Sequence, residues 1–332
     1  MRPDACHWLV SKLDIHPILI DIGASGAPPA IWEEIAQHSI YVGFDPDKRE
    51  IQEVSKGRFH KAIIVNEAII SEKGSNQALF YLTKSPYCSS TLKPDSESLS
   101  NFLFSDLFEV EREAIVPAGT LDSVLDRLSL SRIDWFKTDS QGTDLRIFNS
   151  LREQVRSRVL AIDIEPGLID AYVGEDLFVE AHRDLTQNGF WLSDLNIGVA
   201  VRMRRSTLRE VIERDKNVNN AFVERTLKKS PVYCEARYFR TIESLAQGDF
   251  LKGDYALLWI FAILDNQLGF ALDLAVEYMR IFGKDNLSQL MLDEPILRMR
   301  SQRGRLFDVA KFLLPIQVKR WLKNFSSRAL HL

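Results

Sequence analysis

Lys137-Thr138-Asp139-Ser140-Gln141-Gly142-Thr143-Asp144 closes a short apolar run that begins at Ile133. The run reads as a buried strand over 133–138. Gly142 permits a turn straight after it, into a helix over 143–151. Lys137 and Asp139 stand two apart, so on a strand both side chains leave the same face. A charged pair at the carboxyl end of a central strand is costly to bury unless it is partnered. Two readings are open: an ion pair that locks strand to helix, or a pair that contacts a substrate.

Strand and helix signals alternate outward from this block. Upstream, 17–22 is an apolar run that ends in Asp21-Ile22-Gly23-Ala24-Ser25-Gly26. A helix is expected over 28–38, with Pro28 in its first turn, where a missing N–H costs little. A strand over 40–44 ends in Asp45-Pro46-Asp47; a helix over 48–56 and strands over 61–65 and 78–83 follow. Residues 84–108 read as a long polar loop with a short helix, a length that often marks a functional lid. Thr120 caps a helix over 121–128. Downstream, a strand over 158–164 ends in Asp163-Ile164-Glu165, a helix over 176–188 ends at Gly189, and 190–192 and 199–203 read as the last strands. Such alternation predicts an α/β fold: a Rossmann-like, doubly wound, mostly parallel sheet with helices on both faces. Beyond about residue 205 the strand signal fades. Apolar residues recur at helical spacing through 255–264, 270–281 and 306–322. The expected division is a domain over 1–205 and a helical region over 206–332 that serves interaction, dimerisation or acceptor binding.

Composition excludes some classes. The chain has 332 residues, 45% apolar and 27% charged, with a net charge of −4. That balance does not favour a nucleic-acid partner. Cys6, Cys88 and Cys234 have neither disulfide-framework nor zinc spacing, which suits a reducing compartment. No secretory signal is read, and the longest apolar run, 256–264, is too short for a transmembrane segment. A soluble, cytoplasmic protein is expected. The stretch 311–328 carries Lys311, Lys319, Arg320, Lys323 and Arg328 around Trp321, with no acid. It reads as a solvated helix face or partner surface, or as a peripheral membrane contact. The apolar helices near 253–283 read as a helical core or a homodimer face.

In an open parallel sheet, ligands bind beyond the carboxyl ends of the strands, where the strand order reverses. Gly23, Ala24, Ser25 and Gly26 let the backbone turn tightly there and approach a ligand. Asp45, about 20 residues on, stands where a carboxylate accepts bonds from ribose hydroxyls. A dinucleotide pyrophosphate wants three glycines, and this loop supplies two, followed by Pro28-Pro29. S-adenosylmethionine has no phosphate and tolerates the looser pattern. Asp21 is then a candidate for its cationic methionine end, and Asn66 and Glu67, at the third strand's end, for its adenosine.

The segments Thr120-Leu121-Asp122-Ser123, Lys137 to Asp144, and Val159-Leu160-Ala161-Ile162-Asp163-Ile164-Glu165 occur in that order. With Asp21-Ile22-Gly23-Ala24 and Phe44-Asp45-Pro46, they resemble the FkbM-type family of S-adenosylmethionine-dependent methyltransferases over about 17–195. Asp144 stands where that family carries Glu, and Gly26 comes one position before its second Gly. The resemblance implies O-methylation of a sugar, glycan or secondary-metabolite hydroxyl. The alternatives are a methyltransferase-like binding protein without catalysis, and a nicotinamide-dependent oxidoreductase.

Methyl transfer requires the acceptor oxygen, methyl and sulfur in line, with help in removing the acceptor's proton. Asp139 is the candidate base, Lys137 would orient it or the acceptor, and Glu165 is a second carboxylate. Tyr87, Ser89 and Ser90 resemble a Ser-Ser-Leu element of the same family and, with Gln141 and Asp144, are candidate substrate contacts. No metal site is expected: Asp139, Asp163 and Glu165 offer oxygen ligands, but no histidine accompanies them. His16, His38, His60 and His182 read as structural or surface residues.

Overall fold

The computed structural model describes residues 5–47 and 57–313, with side chains described to residue 301. The helix expected over 48–56 lies outside them, as does nearly all of the basic stretch 311–328. In chain order the strands are β1 (Ile18–Ile22), β2 (Ile40–Phe44), β3 (Lys61–Val65), β4 (Ala68–Ile69) and β5 (Gln77–Thr83). They continue with β6 (Val110–Gly119), β7 (Trp135–Thr138), β8 (Ala161–Ile164), β9 (Phe190–Val201) and β10 (Lys229–Arg240).

Seven of these form one sheet in the order β3-β2-β1-β7-β8-β10-β9. β1, β2, β3, β7 and β8 run parallel, while β10 is antiparallel to both β8 and β9. The fold is therefore the Rossmann-like, mostly parallel sheet expected from the alternation of elements. Strand order reverses between β1 and β7, and that pair fixes where a ligand cleft opens. β4, β6 and β5 form a separate three-stranded sheet beside it.

All five residues of β1 are buried, which is the mark of a central strand covered on both faces. On one face Ile20, Ile22, Phe136 and Ile162 pack with Val124, Leu125, Ile147, Phe148 and Leu185 from the flanking helices. The other face is aromatic. Trp135 sits 5.9 Å from Trp32, 5.7 Å from Phe239 and 4.7 Å from Phe261, each edge-on. Phe261 belongs to helix Lys252–Leu264, which is apolar almost all round and buried from Tyr255 to Ile263.

β10 lies inside the main sheet, and helix Lys252–Leu264 lies against its aromatic face. The compact unit accordingly extends to Asp265. β10 was missed because only one of its faces is buried up to Ala236, so charged and apolar residues alternate without forming a run. β9 is one strand rather than two. A second unit begins at Asn266, with helices Leu268–Phe282 and Asn286–Leu313 packed on each other. In its connection Asp285 and Ser288 cap each other reciprocally, at 2.8 and 2.9 Å. No helix among the described residues is long and apolar enough to cross a membrane.

Four histidines meet at the amino ends of the first three strands, at the opposite edge from the cleft. His38 Nε2 lies 2.8 Å from His7 Nδ1, His16 Nδ1 lies 2.8 Å from the His38 carbonyl, and His16 stacks on His60 at 3.9 Å. Between these two ring nitrogens there is room for one proton. Burial first, then His7, His16 and His60, hold the His38 imidazole below its ordinary value. The unfolded chain thus binds that proton at higher pH than the folded one. The stabilising contribution is present above the unfolded value of about 6.5 and is lost as pH falls below it. Thermal unfolding midpoints are expected to drop between pH 7 and 5, and to drop less in His38→Gln. Parallel curves for the two proteins would refute this assignment.

Candidate functional site

The turn after β1 is built by contact with the end of β7. Gly23 N and Ala24 N both donate to the Phe44 carbonyl at 3.0 Å, which ties the turn to β2. Gly23 has φ +75°, and a Cβ there would lie 2.2 Å from the carbonyl oxygen of Asp139. Only glycine satisfies both conditions. Asp139 N in turn donates to the Ile22 carbonyl at 2.9 Å. The two motifs, far apart in sequence, are thus in backbone contact at the strand-order reversal.

A cleft of about 350 Å³ opens over this contact. Gly23, Ser25, Asp45, Asp47 and Glu67 line it together with Asp139, Gln141 and Thr143. Phe44, Ile69, Phe80 and Leu82 give it an apolar wall, while Thr83, Tyr87, Ser89, Glu111 and Arg112 complete the lining. The small sheet therefore supplies much of the cleft. β6 had not been anticipated: from 110 to 113 it is exposed throughout, and its alternation emerges only near its end.

The candidate cofactor residues divide. Asp45 lines the cleft, and its Oδ1 accepts a bond from Asp47 N at 2.7 Å. Asn66 does not line it; its side chain donates to the Asp45 carbonyl at 3.4 Å. Glu67 lines it and accepts from Arg127 through both oxygens, each at 2.9 Å. Ala24 is buried and contributes its N–H, and Gly26 lies outside the lining.

Asp21 stands apart from the cleft. It is 2% exposed and absent from the lining. Its Oδ1 lies 2.7 Å from Lys137 Nζ, and its Oδ2 accepts from the Tyr41 hydroxyl at 2.9 Å. The cause is register: Asp21 and Lys137 are direct partners across β1 and β7. Lys137 therefore pairs with Asp21 across the two strands. Burial alone would pull its ammonium down, but Asp21 first, then Asp139, hold it above lysine's ordinary value.

Asp144 and Ser90 also turn inward. Asp144 is 1% exposed and accepts from Ser140 N at 3.1 Å. Burial first, and then the charge of Asp139, push its carboxyl up to about 7. Ser90 is fully buried; its hydroxyl donates to the Gln141 carbonyl at 2.6 Å and accepts from Leu92 N at 3.0 Å. It pins the long loop to the 137–144 block. Tyr87, 68% exposed, and Ser89 do line the cleft, and the Ser89 hydroxyl accepts from Thr83 N at 3.1 Å.

Burial acts in the same direction on two carboxyls, Asp139 after β7 and Glu165 after β8. Burial raises Asp139 above its ordinary value, against the pull of Lys137 and of the Gln141 amide, which donates to Oδ1 at 2.5 Å. Glu165 is pushed up to about 9, first by burial and then by Asp139 and Asp144. Glu165 stands outside the cleft lining. Asp163 is engaged by Arg237 at 2.8 Å, which also reaches Asp265 at 2.5 Å. Among the described residues no three His, Cys, Asp or Glu side chains are arranged to hold a metal ion.

Residues 26–229, more than half of the chain, match the family described as "Methyltransferase FkbM domain". The chain belongs to the FkbM methyltransferase family. The nicotinamide alternative falls with that match. The match runs further than the resemblance over 17–195, reaching the start of β10, and it begins just after the Gly23 turn. This FkbM methyltransferase is also similar to a solved structure described as "Structure of an Antibiotic Related Methyltransferase". The two are 13% identical, with 71% of this chain and 94% of that one covered, and a TM-score of 0.24. No curated protein matches the chain.

Tyr172 escaped the sequence reading. It sits in the loop between β8 and helix Phe178–Gln187, and no local pattern distinguishes it. Its ring is 3% exposed and its hydroxyl lies 2.8 Å from Gln141 Oε1.

Proposed function

We propose that this methyltransferase uses S-adenosylmethionine to methylate a hydroxyl oxygen on a sugar, glycan or secondary metabolite. The observation that carries this reading is the placement of Asp139: at the strand-order reversal, against Gly23, in a cleft that Asp45 also lines. When bound, S-adenosylmethionine supplies an electrophilic methyl carbon and a neutral thioether leaving group. The residues present fit it. The cradle at Gly23 admits no side chain, and Asp45, Asp47, Glu67 and Asp139 suit a cationic ligand. Asp45 would hold ribose hydroxyls, the turn from Gly23 to Ser25 the methionine end, and Phe44, Ile69 and Phe80 the adenine. Asp139 would take the acceptor's proton as the new O–C bond forms. Tyr87 and Ser89 would bond a polyhydroxyl acceptor at the mouth.

Calorimetry tests the cofactor half. S-adenosylmethionine should bind the wild-type chain, and Asp45→Ala should weaken it about tenfold or more, the loss of a bond to a charged acceptor. No binding at millimolar cofactor would sink the proposal. Equal affinity in the variant would remove Asp45 from the ribose.

A further inference from the structure

Gln141 holds a conformation that its residue type disfavours. Its φ is +58°, in the left-handed region, where a side chain crowds the neighbouring backbone carbonyl. Three bonds impose it. Its carbonyl accepts from the Ser90 hydroxyl at 2.6 Å, its Oε1 from the Tyr172 hydroxyl at 2.8 Å, and its Nε2 donates to Asp139 Oδ1 at 2.5 Å. The carboxylate itself decides which way the amide points, because Oε1 against Oδ1 would set two acceptors together. That orientation leaves Oε1 for Tyr172, whose hydroxyl also lies 3.0 Å from the Cys88 carbonyl. Strain at one residue, held by bonds from two distant segments and aimed at one neighbouring carboxyl, is a signature of a functional constraint.

We propose that Tyr172 and Gln141 are positioning residues: Tyr172 fixes the Gln141 amide, and the amide fixes Asp139 so that Oδ2 faces the acceptor hydroxyl. The inference rests on Asp139 being the base. The amide occupies Oδ1, and no other side-chain hydrogen bond to Asp139 occurs among the described residues. The charged groups that act on this carboxyl are Lys137, Asp21 and Glu235, and it acts in turn on Asp144 and Glu165. Gln141 donates to the ionised form and so favours it. Its loss must raise the carboxyl's titration midpoint.

The test reads ionisation directly and needs no acceptor. Carbon NMR of carboxyl-labelled aspartate follows Asp139, with Asp139→Asn to assign the signal. Gln141→Gly suits the left-handed backbone and preserves the fold. It should move the midpoint up by about one pH unit, the worth of one hydrogen bond to a charge. Tyr172→Phe should move it in the same direction by less, and should add nothing in the Gln141→Gly background. An unmoved midpoint in Gln141→Gly would overturn the proposal. An equal Tyr172→Phe shift in both backgrounds would overturn it too, since Tyr172 would then act without Gln141. A wild-type turnover in Asp139→Asn would instead remove the base reading, and the midpoints would stand apart from it.

Discussion

Asp139→Asn is expected to lower methyl transfer by about 10²- to 10⁴-fold, the usual worth of a positioned acid or base. Cofactor affinity should change far less. The substitution is nearly isosteric and removes a charge that burial opposes, so the fold is not put at risk. The measurement is transfer of labelled methyl to whichever hydroxyl acceptor a panel of sugars, glycans and metabolites yields, with cofactor binding followed by calorimetry. In the wild type, turnover should rise with pH through the titration of Asp139, because the ionised form is the base. That midpoint should lie above the ordinary aspartate value, since burial raises it. A variant that turns over like the wild type would remove Asp139 from proton transfer.

The second large effect concerns stability. Lys137→Met should leave the Asp21 carboxylate uncompensated in the middle of the sheet. Removing one partner of a buried pair costs about 3–5 kcal/mol. The lysine side chain is 23% exposed, so a loss near 3 kcal/mol is expected. Tyr41 still donates to Asp21 but brings no charge. The double variant Lys137→Met with Asp21→Asn should recover most of the loss, because the stranded charge is gone. Denaturation midpoints of the four proteins close the cycle. If Lys137→Met unfolds where the wild type does, the ion pair is not what holds β1 to β7 at this point.

This pair shows where sequence reading stopped. Lys137 and Asp139 do leave β7 with the spacing that suggests one face, and pairing them with each other was one of two open readings. The partner of Lys137 is instead Asp21, directly across the ladder. Register between strands more than a hundred residues apart has no local trace. Asp144 is a related case. Its place in the motif is legible, but whether a carboxylate one residue past a strand-to-helix turn faces a cleft or the interior depends on how that helix docks. Ser90 was legible as a hydroxyl in a long loop; that it points inward follows from the loop's attachment to Gln141. β6 and β10 went unread because partial exposure breaks up the apolar runs that betray a buried strand.

The sequence by itself determined the alternation of strand and helix, the two motifs at strand ends, and the family they resemble. These rest on local properties: apolar runs, the period of burial, and small residues where a turn is tight. Tertiary structure alone decided that Gly23 lies against the Asp139 carbonyl and that Asp21 belongs to the core rather than the cleft. It also decided that Tyr172 reaches Asp139 through Gln141. The reason is physical: hydrogen bonds, ion pairs and burial act over a few ångströms of space, and the chain brings residues to that distance without regard to their separation in sequence.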